Sequence, residues 1–553
     1  MSGLGDRTRA LERLAGAHEP LDLLVVGGGI TGAGIALDAA SRGLGVGLVE
    51  RGDFASGTSS RSSKLVHGGL RYLEQGEFAL TREASVERDL LRRLAPHLVE
   101  PIPFVLPVSD RWNRAKFGAG LWAYDALASF KNLKVHRHLD AAETERLVPA
   151  IPQGKVRGGY LFYDCKTDDV RMVIAVLVAA RRYGAVAANY AAVESLEGGE
   201  NGCRAQVRDC VSGTSFEVAA RQIVVAAGVW GDRLEAMSSP EATPRLRPSK
   251  GVHLVFRKEA LPTADAAAFI PDAERRRMLF VIPWHDAVLV GTTDTAYDGD
   301  LDAPRVEPED RDYCLAAVNS IFHVTLGPRD IAGAYAGLRP LVAARAGATA
   351  DLSRRHAVYS IAPGITGITG GKLTTWRRMA KDVVDGVAGE LGVGVKAKTQ
   401  WIRLGSSDVS RLTAAVTRRA ARLGILGPQT GNLVRFYGDR ALEVLDVAER
   451  GDLAGPLAPG ALPLAAEAAY CARSEMVVHL DDLLARRTRL AITDPAAGTG
   501  TGSRATEILA DALGWDAPAA SAEVGRHREL VERERGVPLH DAPSQGSATR
   551  GAG

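Results

Sequence analysis

Cysteine is scarce and scattered in this sequence. Five cysteines occur among 553 residues, and no two of them form a C-x-x-C pair. This spacing argues against a zinc ribbon or a disulfide scaffold and is typical of proteins of a reducing cytosol. We therefore predict a protein without a metal site.

Long apolar runs and a strong charge bias are also missing. No apolar run approaches the roughly 20 residues that a membrane-spanning helix needs, and the polar residues 1–20 lack the apolar core of a signal peptide. The net charge is only +2, so nothing in the charge balance predicts a nucleic acid as partner. The composition, 46% hydrophobic and 24% charged, is that of an ordinary globular protein.

Glycine, in contrast, is concentrated at one informative place near the start. Residues 23–34 read L-L-V-V-G-G-G-I-T-G-A-G, an apolar run followed by a glycine turn and a helical pattern. Gly27 permits the turn, Gly29 lets the backbone approach a pyrophosphate, and Gly32 lets helix and strand pack closely. The next apolar run ends at Glu50, near the ~20-residue spacing at which a carboxylate binds a ribose hydroxyl. The pattern predicts a dinucleotide site at the first strand of an open α/β fold.

Two further segments belong with this predicted site. The small hydroxyl residues of segment 53–64 cannot pack a core and predict a loop. This loop is either a flexible linker or a lining of the cofactor site, and its position directly after Glu50 favours the lining. The apolar run 222–225 ends in small residues, as a buried parallel strand near a cofactor does. Because this run lies far downstream, we predict a discontinuous cofactor domain.

The rest of the chain divides into a second sheet and a helical end. Residues 251–256 and 279–291 are predicted to form strands of a second sheet, and the pattern beyond about residue 400 is helical. The predicted segments are 1–110 and 151–240 for the cofactor domain, 111–150 for a membrane-contacting segment, 241–345 for a substrate domain, 346–395 for a return segment to the site, 400–540 for a helical domain and 541–553 for a disordered tail.

Several strings of residues together carry a family resemblance. They are S-S-K-L-V-H-G-G-L-R-Y-L at 62–73, G-L-R-P-L at 337–341 and G-G-K-L-T-T at 370–375, in that order after the glycine motif. With them the chain resembles, over most of its length, the FAD-dependent (aerobic) glycerol-3-phosphate dehydrogenases, a branch of the D-amino-acid-oxidase-like flavoproteins. The resemblance implies a Rossmann-like FAD-binding domain, an inserted antiparallel-sheet substrate domain and an α-helical C-terminal domain. The less specific string D-D-L-L-A-R-R-T at 481–488 also fits.

The resemblance implies a reaction and a cofactor. The reaction is oxidation of sn-glycerol 3-phosphate to dihydroxyacetone phosphate, with a hydride passing from C2 to noncovalent FAD and the electrons passing on to a membrane quinone. An oxidase that uses oxygen on the same fold is the main alternative. Oxidation of a small amino acid, a flavin scaffold without turnover and a nicotinamide-linked dehydrogenase stay open as further alternatives.

The resemblance also assigns roles to residues. Substrate binding falls to Arg71, Tyr72, Arg339, Arg354 and Lys372, where Arg suits a bidentate phosphate contact and Lys acts as a point charge. Catalysis falls to His253 and Arg339. His253 is the candidate base because an imidazole titrates near neutral pH and this one stands in an apolar strand, although a core histidine would look the same.

The predicted cofactor-binding residues come from the glycine motif, the segment after it and three later strings. They are Gly27, Gly28, Gly29, Ile30, Thr31, Gly32, Glu50, Arg51, Thr58, Ser59, Ser63, Lys64, His67, Gly69, Ala227, Gly228, Gly371, Lys372, Leu373 and Thr374.

Segment 111–137 interleaves aromatic and basic residues. It carries Trp112, Phe117 and Trp122 among arginines and lysines, a pattern that suits a helix lying on an anionic membrane surface. A core-packing helix with a solvated basic end fits the pattern equally well. The family's quinone acceptor favours membrane contact, so we expect a cytoplasmic protein bound peripherally to the inner face of the cell membrane. Assembly into a homodimer stays open.

Overall fold

The computed structural model describes residues 3–17, 19–70, 76–108, 111–127, 134–152, 154–199, 201–239, 241, 243–272, 277–342, 356–498 and 504–536. Arg71, Tyr72 and Arg354, three of the residues predicted to bind substrate, lie outside these ranges. Residues 128–133 of the predicted membrane segment and the tail 541–553 lie outside them as well.

The strands are β1 (Leu21–Val26), β2 (Val46–Val49), β3 (Leu65–Val66), β4 (Glu100–Val108), β5 (Arg137–Leu139), β6 (Gly158–Lys166), β7 (Val186–Ala188), β8 (Ala191–Glu197), β9 (Cys203–Asp209), β10 (Ser215–Val225), β11 (Ser249–Arg257), β12 (Ala267–Asp272), β13 (Arg277–Trp284), β14 (Ala287–Gly291), β15 (Thr295–Ala296), β16 (Ile331–Arg339), β17 (Ala357–Ala362) and β18 (Ile365–Thr369).

The α-helices are α1 (Arg7–Ala15), α2 (Ile30–Ser41), α3 (Phe78–Leu94), α4 (Arg111–Leu127), α5 (Ala141–Leu147), α6 (Asp169–Arg182), α7 (Gly231–Ser238), α8 (Pro308–Ile321), α9 (Trp376–Glu390), α10 (Val409–Arg422), α11 (Gly427–Tyr437), α12 (Ala441–Arg450), α13 (Ala465–Ser474), α14 (Leu490–Thr493), α15 (Arg504–Leu513) and α16 (Ala517–Arg535).

The first sheet is the core of the cofactor domain. Its strand order is β17–β18–β10–β1–β2–β7, and the pairs from β18 through to β7 are parallel. β1 lies between β10 and β2, with Val25 opposite Val224 on one side and Leu48 on the other. The residues at the carboxyl ends of β1, β2 and β10 are apolar and buried, as expected where helices cover both faces of a parallel sheet. β10 therefore lies beside β1 in one sheet, although the two strands are far apart in the chain.

The second sheet is largely antiparallel. Its order is β15–β11–β14–β13–β12–β4–β6–β3, with β16 paired to β11 and β5 to β6. The predicted strands at 251–256 and 279–291 lie here, in β11, β13 and β14. A Rossmann-like domain, an inserted sheet and a helical C-terminal region are thus the architecture of the chain, as the resemblance implied.

The sheet boundaries differ from the sequence boundaries at β4 and β6. Both strands were assigned to the cofactor domain, yet they pair with each other in the second sheet. Phe104 on β4 packs on Phe162 of β6 and on Phe269 of β12, with ring centroids 5.4 and 5.3 Å apart. Such cross-strand aromatic contacts bury apolar area between segments far apart in the chain. No local pattern reveals them.

Three helices cover the cofactor sheet near its first strand. α2 follows β1 directly and packs against both α6 and α9. α6 is buried along most of its length, and Asp168 caps its N-terminus by accepting the backbone N–H of Arg171 at 2.8 Å. This packing fixes the start of α2, where the glycine motif ends.

The C-terminal region is helical, as its sequence pattern predicted. α10 to α13 and α15 bury an apolar cluster of their own, which includes Val416, Leu433 and Leu445. The region docks on the cofactor domain through buried ion pairs. Arg171 of α6 donates to both carboxylate oxygens of Glu475, at 2.8 and 2.9 Å.

Helix α4 begins the predicted membrane segment, and its side chains lie in two different environments. Leu121 and Tyr124 are buried in an aromatic cluster on the second sheet, so these two side chains belong to the core. Phe117 packs partly against the same cluster, whereas the Trp122 side chain is 59% exposed. Within the described ranges, no helix has the length and apolar character to cross a bilayer.

Candidate active site

One cavity of about 530 Å³ lies between the two sheets. The carboxyl ends of β1, β2, β10 and β18 form one side, and residues of β11, β13 and β16 form the other. The carboxyl ends of parallel strands are where open α/β sheets bind their ligands. The volume is in the range of small-molecule and cofactor sites.

The backbone after β1 leaves space for a ligand. Gly27 has a φ of +118°, and a Cβ on it would lie 2.5 Å from the carbonyl oxygen of Ala226. Gly29 has an ordinary backbone conformation, and a Cβ on it would approach only the Ser59 side chain, at 3.1 Å. Backbone strain thus does not require glycine at position 29, although a Cβ there would crowd the Ser59 hydroxyl oxygen. Gly29 keeps the cavity open beside the start of α2, where backbone N–H groups attract an anion.

Glu50 is held beside this glycine turn. Its carboxylate accepts the backbone N–H of Gly28 at 2.6 Å and that of Gly52 at 2.9 Å. Burial raises the pKa of Glu50 above its ordinary value, and these two hydrogen bonds offset part of that rise. Arg51 lies at the same end of the cavity, with its guanidinium 4.4 Å from the centroid of the Trp230 ring. This end therefore offers an oriented carboxylate and an aromatic wall, which suits a nucleoside.

The hydroxyl-rich segment after Glu50 lines the cavity, as its position favoured. Ser59 accepts the backbone N–H of Ile30 through its hydroxyl oxygen at 3.0 Å. Thr58 donates its hydroxyl to the carbonyl oxygen of Leu338 at 2.7 Å. The loop therefore joins the start of α2 to β16 in the second sheet.

His253 lies in the cavity wall on β11 and is 2% exposed. Its Nε2 atom is 2.8 Å from the hydroxyl oxygen of Ser63, and its ring stacks on Tyr335 with centroids 5.0 Å apart. Burial, with the positive charges of Lys64 and Arg339, lowers the pKa of His253 to about 3. The imidazole is therefore neutral at physiological pH, with one ring nitrogen unprotonated.

Arg339 ends β16 and faces the same cavity. The sequence around it is apolar, but the fold brings Asp294 to within 3.1 Å of its guanidinium. The guanidinium also donates to the Thr292 hydroxyl and to the Thr293 carbonyl oxygen, each at 3.0 Å. Lys372 lines the cavity as a second cation. The structure thus brings two cations and one neutral imidazole together.

Most of the predicted site residues line this cavity. They are Gly27, Gly29, Ile30, Thr31, Glu50, Arg51, Thr58, Ser59, Ser63, His67, Ala227, Gly228, His253, Arg339, Gly371, Lys372, Leu373 and Thr374.

Four predicted cofactor residues lie outside the cavity wall: Gly28, Gly32, Lys64 and Gly69. A Cβ on Gly32 would lie 1.9 Å from the carbonyl oxygen of Gly27, so this glycine serves the packing of α2 on β1. Lys64 requires a correction. Its ammonium is completely buried and donates to both carboxylate oxygens of Asp169 at 3.1 Å, which directs the side chain away from the cavity. Burial lowers the pKa of Lys64 to about 8.

Two residues of the site escaped the sequence analysis. Asp294 holds Arg339, and Tyr335 stacks on His253 while donating its hydroxyl to the carbonyl oxygen of Ser62 at 2.8 Å. The resemblance extends to the strings G-T-T-D at 291–294 and Y-A-G-L-R-P-L at 335–341, which contain Asp294 and Tyr335. Their place in those strings was the available signal, but their partners are distant in sequence.

Fold and site together define a dinucleotide-binding α/β protein with a small-molecule site against its second sheet. Comparison with known proteins identifies a family within this class of protein. Residues 22–377 match the family model described as FAD dependent oxidoreductase. Residues 398–520 match the C-terminal domain of alpha-glycerophosphate oxidase.

Several relatives match the chain over nearly its whole length. The glycerol-3-phosphate dehydrogenase of Mycobacterium leprae is 40% identical, over 96% of this chain and 92% of the relative. The aerobic glycerol-3-phosphate dehydrogenase of Bacillus subtilis is 34% identical, over 94% and 95%. The X-ray structure of the Bacillus halodurans glycerol-3-phosphate dehydrogenase complexed with FAD covers 98% of this chain and 100% of its own, with 30% identity and a TM-score of 0.80.

The chain belongs to the FAD-dependent glycerol-3-phosphate dehydrogenase family of flavoproteins, and its cofactor is FAD. The described residues fit this cofactor. Gly29 leaves open the space that a pyrophosphate needs, the start of α2 supplies N–H groups, and Glu50 is oriented for a ribose.

Proposed function

We propose that the chain oxidises sn-glycerol 3-phosphate to dihydroxyacetone phosphate and delivers the electrons to a membrane quinone. One observation carries the proposal. His253, Arg339 and Lys372 line the same cavity as the glycine turn after β1. The cavity thus joins a proton acceptor and two cations to the FAD site. The names of the relatives suggest which substrate the cavity binds.

The charges favour a phosphate over the carboxylate of an amino acid. Arg339 is held by Asp294 and Thr292, so its planar guanidinium is oriented before any ligand arrives. Lys372 adds a second positive charge at the same cavity. A phosphate dianion gains more from two converging cations than a single carboxylate does. Arg71 and Arg354 stay predicted as further phosphate ligands.

Oxidation of the substrate removes a hydride from C2 and a proton from the C2 hydroxyl, which leaves the carbonyl of dihydroxyacetone phosphate. Bound FAD supplies the acceptor for the hydride. We assign the proton to Nε2 of His253, the ring nitrogen that faces the Ser63 hydroxyl. The lowered pKa of His253 keeps this nitrogen unprotonated at physiological pH. A substrate dianion nearby raises the pKa of an imidazole, which makes His253 a stronger base when substrate is bound.

The exposed surface of α4 suits contact with a membrane, which favours a quinone as acceptor. Trp122 is 59% exposed, and Arg114 and Lys116 on the same helix are exposed as well. An exposed tryptophan among basic residues suits the surface of an anionic leaflet. Oxygen is the second candidate acceptor, because the same reduced cofactor can react with either.

The substrate assignment has a direct test. The purified protein is mixed with sn-glycerol 3-phosphate in the absence of oxygen. Its yellow flavin absorbance should then be lost. Glycerol, which lacks the phosphate, should leave the colour unchanged at the same concentration. Bleaching by glycerol as well, or by neither compound, would contradict the proposal.

The acceptor is tested after the colour is lost. A short-chain quinone should restore the absorbance much faster than air-saturated buffer does. Hydrogen peroxide formed at the full turnover rate in air, without quinone, would instead identify an oxidase.

A further inference from the structure

The loop of residues 53–64, here called the cavity loop, carries Thr58, Ser59 and Ser63 in the cavity wall. None of its residues belongs to a long helix or strand, and its only regular element is the short 3₁₀ turn Thr58–Ser60. Loops without regular structure depend on side-chain contacts to hold one conformation. The contacts of this loop therefore decide how well the FAD site is shaped.

The first end of the cavity loop is held by the C-terminal helical region. The Asp53 carboxylate accepts from Arg486 at 2.6 Å and from Arg487 at 2.7 and 2.9 Å. Asp53 and Arg487 have fully buried side chains. The two arginines come from a π-helical turn, Asp482–Arg487, more than 400 residues away along the chain.

The second end is held through α6 by the same region. The Ser62 hydroxyl donates to Asp169 at 2.8 Å, and the buried Lys64 ammonium donates to the same carboxylate. Arg489 pairs with Asp169 from the other side and with Asp168 at 2.8 Å. Arg489 thus holds the end of the loop through one shared carboxylate.

A third contact holds the loop at Arg61, directly before its second end. Arg61 lines the cavity and pairs with Glu534 on the last helix, α16, at 2.9 Å. Its guanidinium also donates to the carbonyl oxygen of Ala336 on β16 at 3.1 Å. The side chains of Glu534 and Arg61 are both partly exposed. Glu534 can therefore be replaced without leaving the Arg61 charge completely buried and unpaired.

The backbone of the loop also needs support at both ends. Ala55 and Lys64 have φ values of +64° and +56°, in the left-handed region that side-chain-bearing residues rarely adopt. Each lies beside or at one of the ionic contacts. Strained residues persist where surrounding contacts determine their conformation.

We propose that the C-terminal helical region holds the cavity loop in its FAD-binding shape, with Arg487, Arg489 and Glu534 as positioning residues. Buried ion pairs add little net stability, but they fix the relative placement of the segments they join. Here they join the far end of the chain to the loop whose Ser63 contacts His253. The proposal concerns FAD, and so it stands whether or not glycerol 3-phosphate is the substrate.

The test compares two glutamates that each pair with an arginine. Glu534 pairs with Arg61 on the loop, whereas Glu449 on α12 pairs with Arg419 on α10 at 2.6 Å, inside the C-terminal region. The holoenzyme is diluted, and the rate of FAD release is measured from the fluorescence of the released FAD. Each variant is measured at a temperature the same number of degrees below its own Tm. Glu534→Ala should release FAD about fivefold faster than the unchanged protein, as loss of one partly buried ion pair implies. Glu449→Ala should release FAD at the unchanged rate.

A second variant examines the buried contact. Arg489→Lys keeps the charge but loses the two parallel hydrogen bonds to Asp168 and the planar group that also reaches Asp169, so it too should speed the release of FAD. Equal release rates for Glu534→Ala, Arg489→Lys and the unchanged protein would overturn the proposal. An equal acceleration in Glu449→Ala would also overturn it, because the effect would then follow the general stability of the helices.

Discussion

The Nε2 atom of His253 lies 2.8 Å from the hydroxyl oxygen of Ser63, although 190 residues separate them in the chain. Ser63 belongs to the loop that joins the cofactor motif to the second sheet, and His253 lies in the middle of β11. Both residues line the cavity that Arg339 and Lys372 also line. A change at Ser63 therefore alters a direct contact of the candidate base.

The first prediction concerns the pH dependence of catalysis. Because burial lowers the pKa of His253 to about 3, kcat/KM should show no histidine ionisation near its usual value of 6.5. His253→Gln should retain FAD but lower kcat by about a hundredfold or more, the usual contribution of a proton acceptor. The measurement is kcat/KM against pH with a soluble dye as acceptor. An inflection near pH 6.5 that disappears in His253→Gln would contradict the lowered pKa.

The same ionisation affects stability, with a definite sign. The unfolded chain protonates His253 at the ordinary value of 6.5, whereas the native state resists protonation until about pH 3. The contribution of the neutral imidazole is thus present above pH 6.5 and is lost as the pH falls toward 3. The free energy of unfolding should therefore fall less steeply with acid in His253→Gln than in the unchanged protein.

A second prediction tests the FAD cradle. Acid precipitation should release all of the yellow colour into the supernatant, because we predict a noncovalent cofactor. Gly29→Val should abolish FAD binding, since its side chain would enter the space left open beside the start of α2. Gly386→Val is the control, because Gly386 is exposed and a Cβ on it would have no neighbouring atom within 4 Å. Colour retained in the acid pellet would indicate a covalent link.

A third prediction concerns the anion grip. Arg339→Ala should keep its FAD and lose roughly a hundredfold in kcat/KM, as expected when about 1.5–3 kcal/mol of charged hydrogen bonding is removed from a closed site. Arg339→Lys should recover only part of the loss, because an ammonium cannot contact Asp294 and a phosphate with a planar fork. Arg329→Ala, an exposed arginine just before β16, serves as the control. Normal turnover by Arg339→Ala would contradict the assignment of Arg339 to phosphate binding.

A fourth prediction addresses the membrane. Trp122→Ser should weaken binding to anionic vesicles while activity with a soluble dye stays unchanged, and quinone-coupled activity should fall. The remaining binding should be sensitive to salt, because exposed charges are screened over ~10 Å at about 0.1 M. Phe117 is left intact in this test, since it packs partly on the aromatic core.

Trp401→Ser provides the matched control for the membrane test. Trp401 is 79% exposed, even more than Trp122, but it lies on the short turn Thr399–Trp401 rather than on α4. Its replacement should leave vesicle binding unchanged. Release from vesicles by Trp401→Ser and not by Trp122→Ser would move the contact to that turn.

The local patterns determined much of the framework. The unit β1–α2–β2, the parallel strand β10, the strands of the second sheet and the helical C-terminal region were all predictable, because each depends on residues close together in sequence. The same holds for the glycine turn and Glu50, whose position beside the cavity follows from backbone geometry and a short spacing. The family strings then directed attention to His253, Arg339 and Lys372.

The tertiary structure alone decided which distant side chains meet. Arg339 and Asp294 are 45 residues apart, and Lys64 and Asp169 are 105 apart. Lys64 was predicted to bind the cofactor from its place in a hydroxyl-rich string, yet it faces Asp169 in the interior. The physical reason is that a buried charge requires a partner, and only the packing of whole segments determines which partner is within reach.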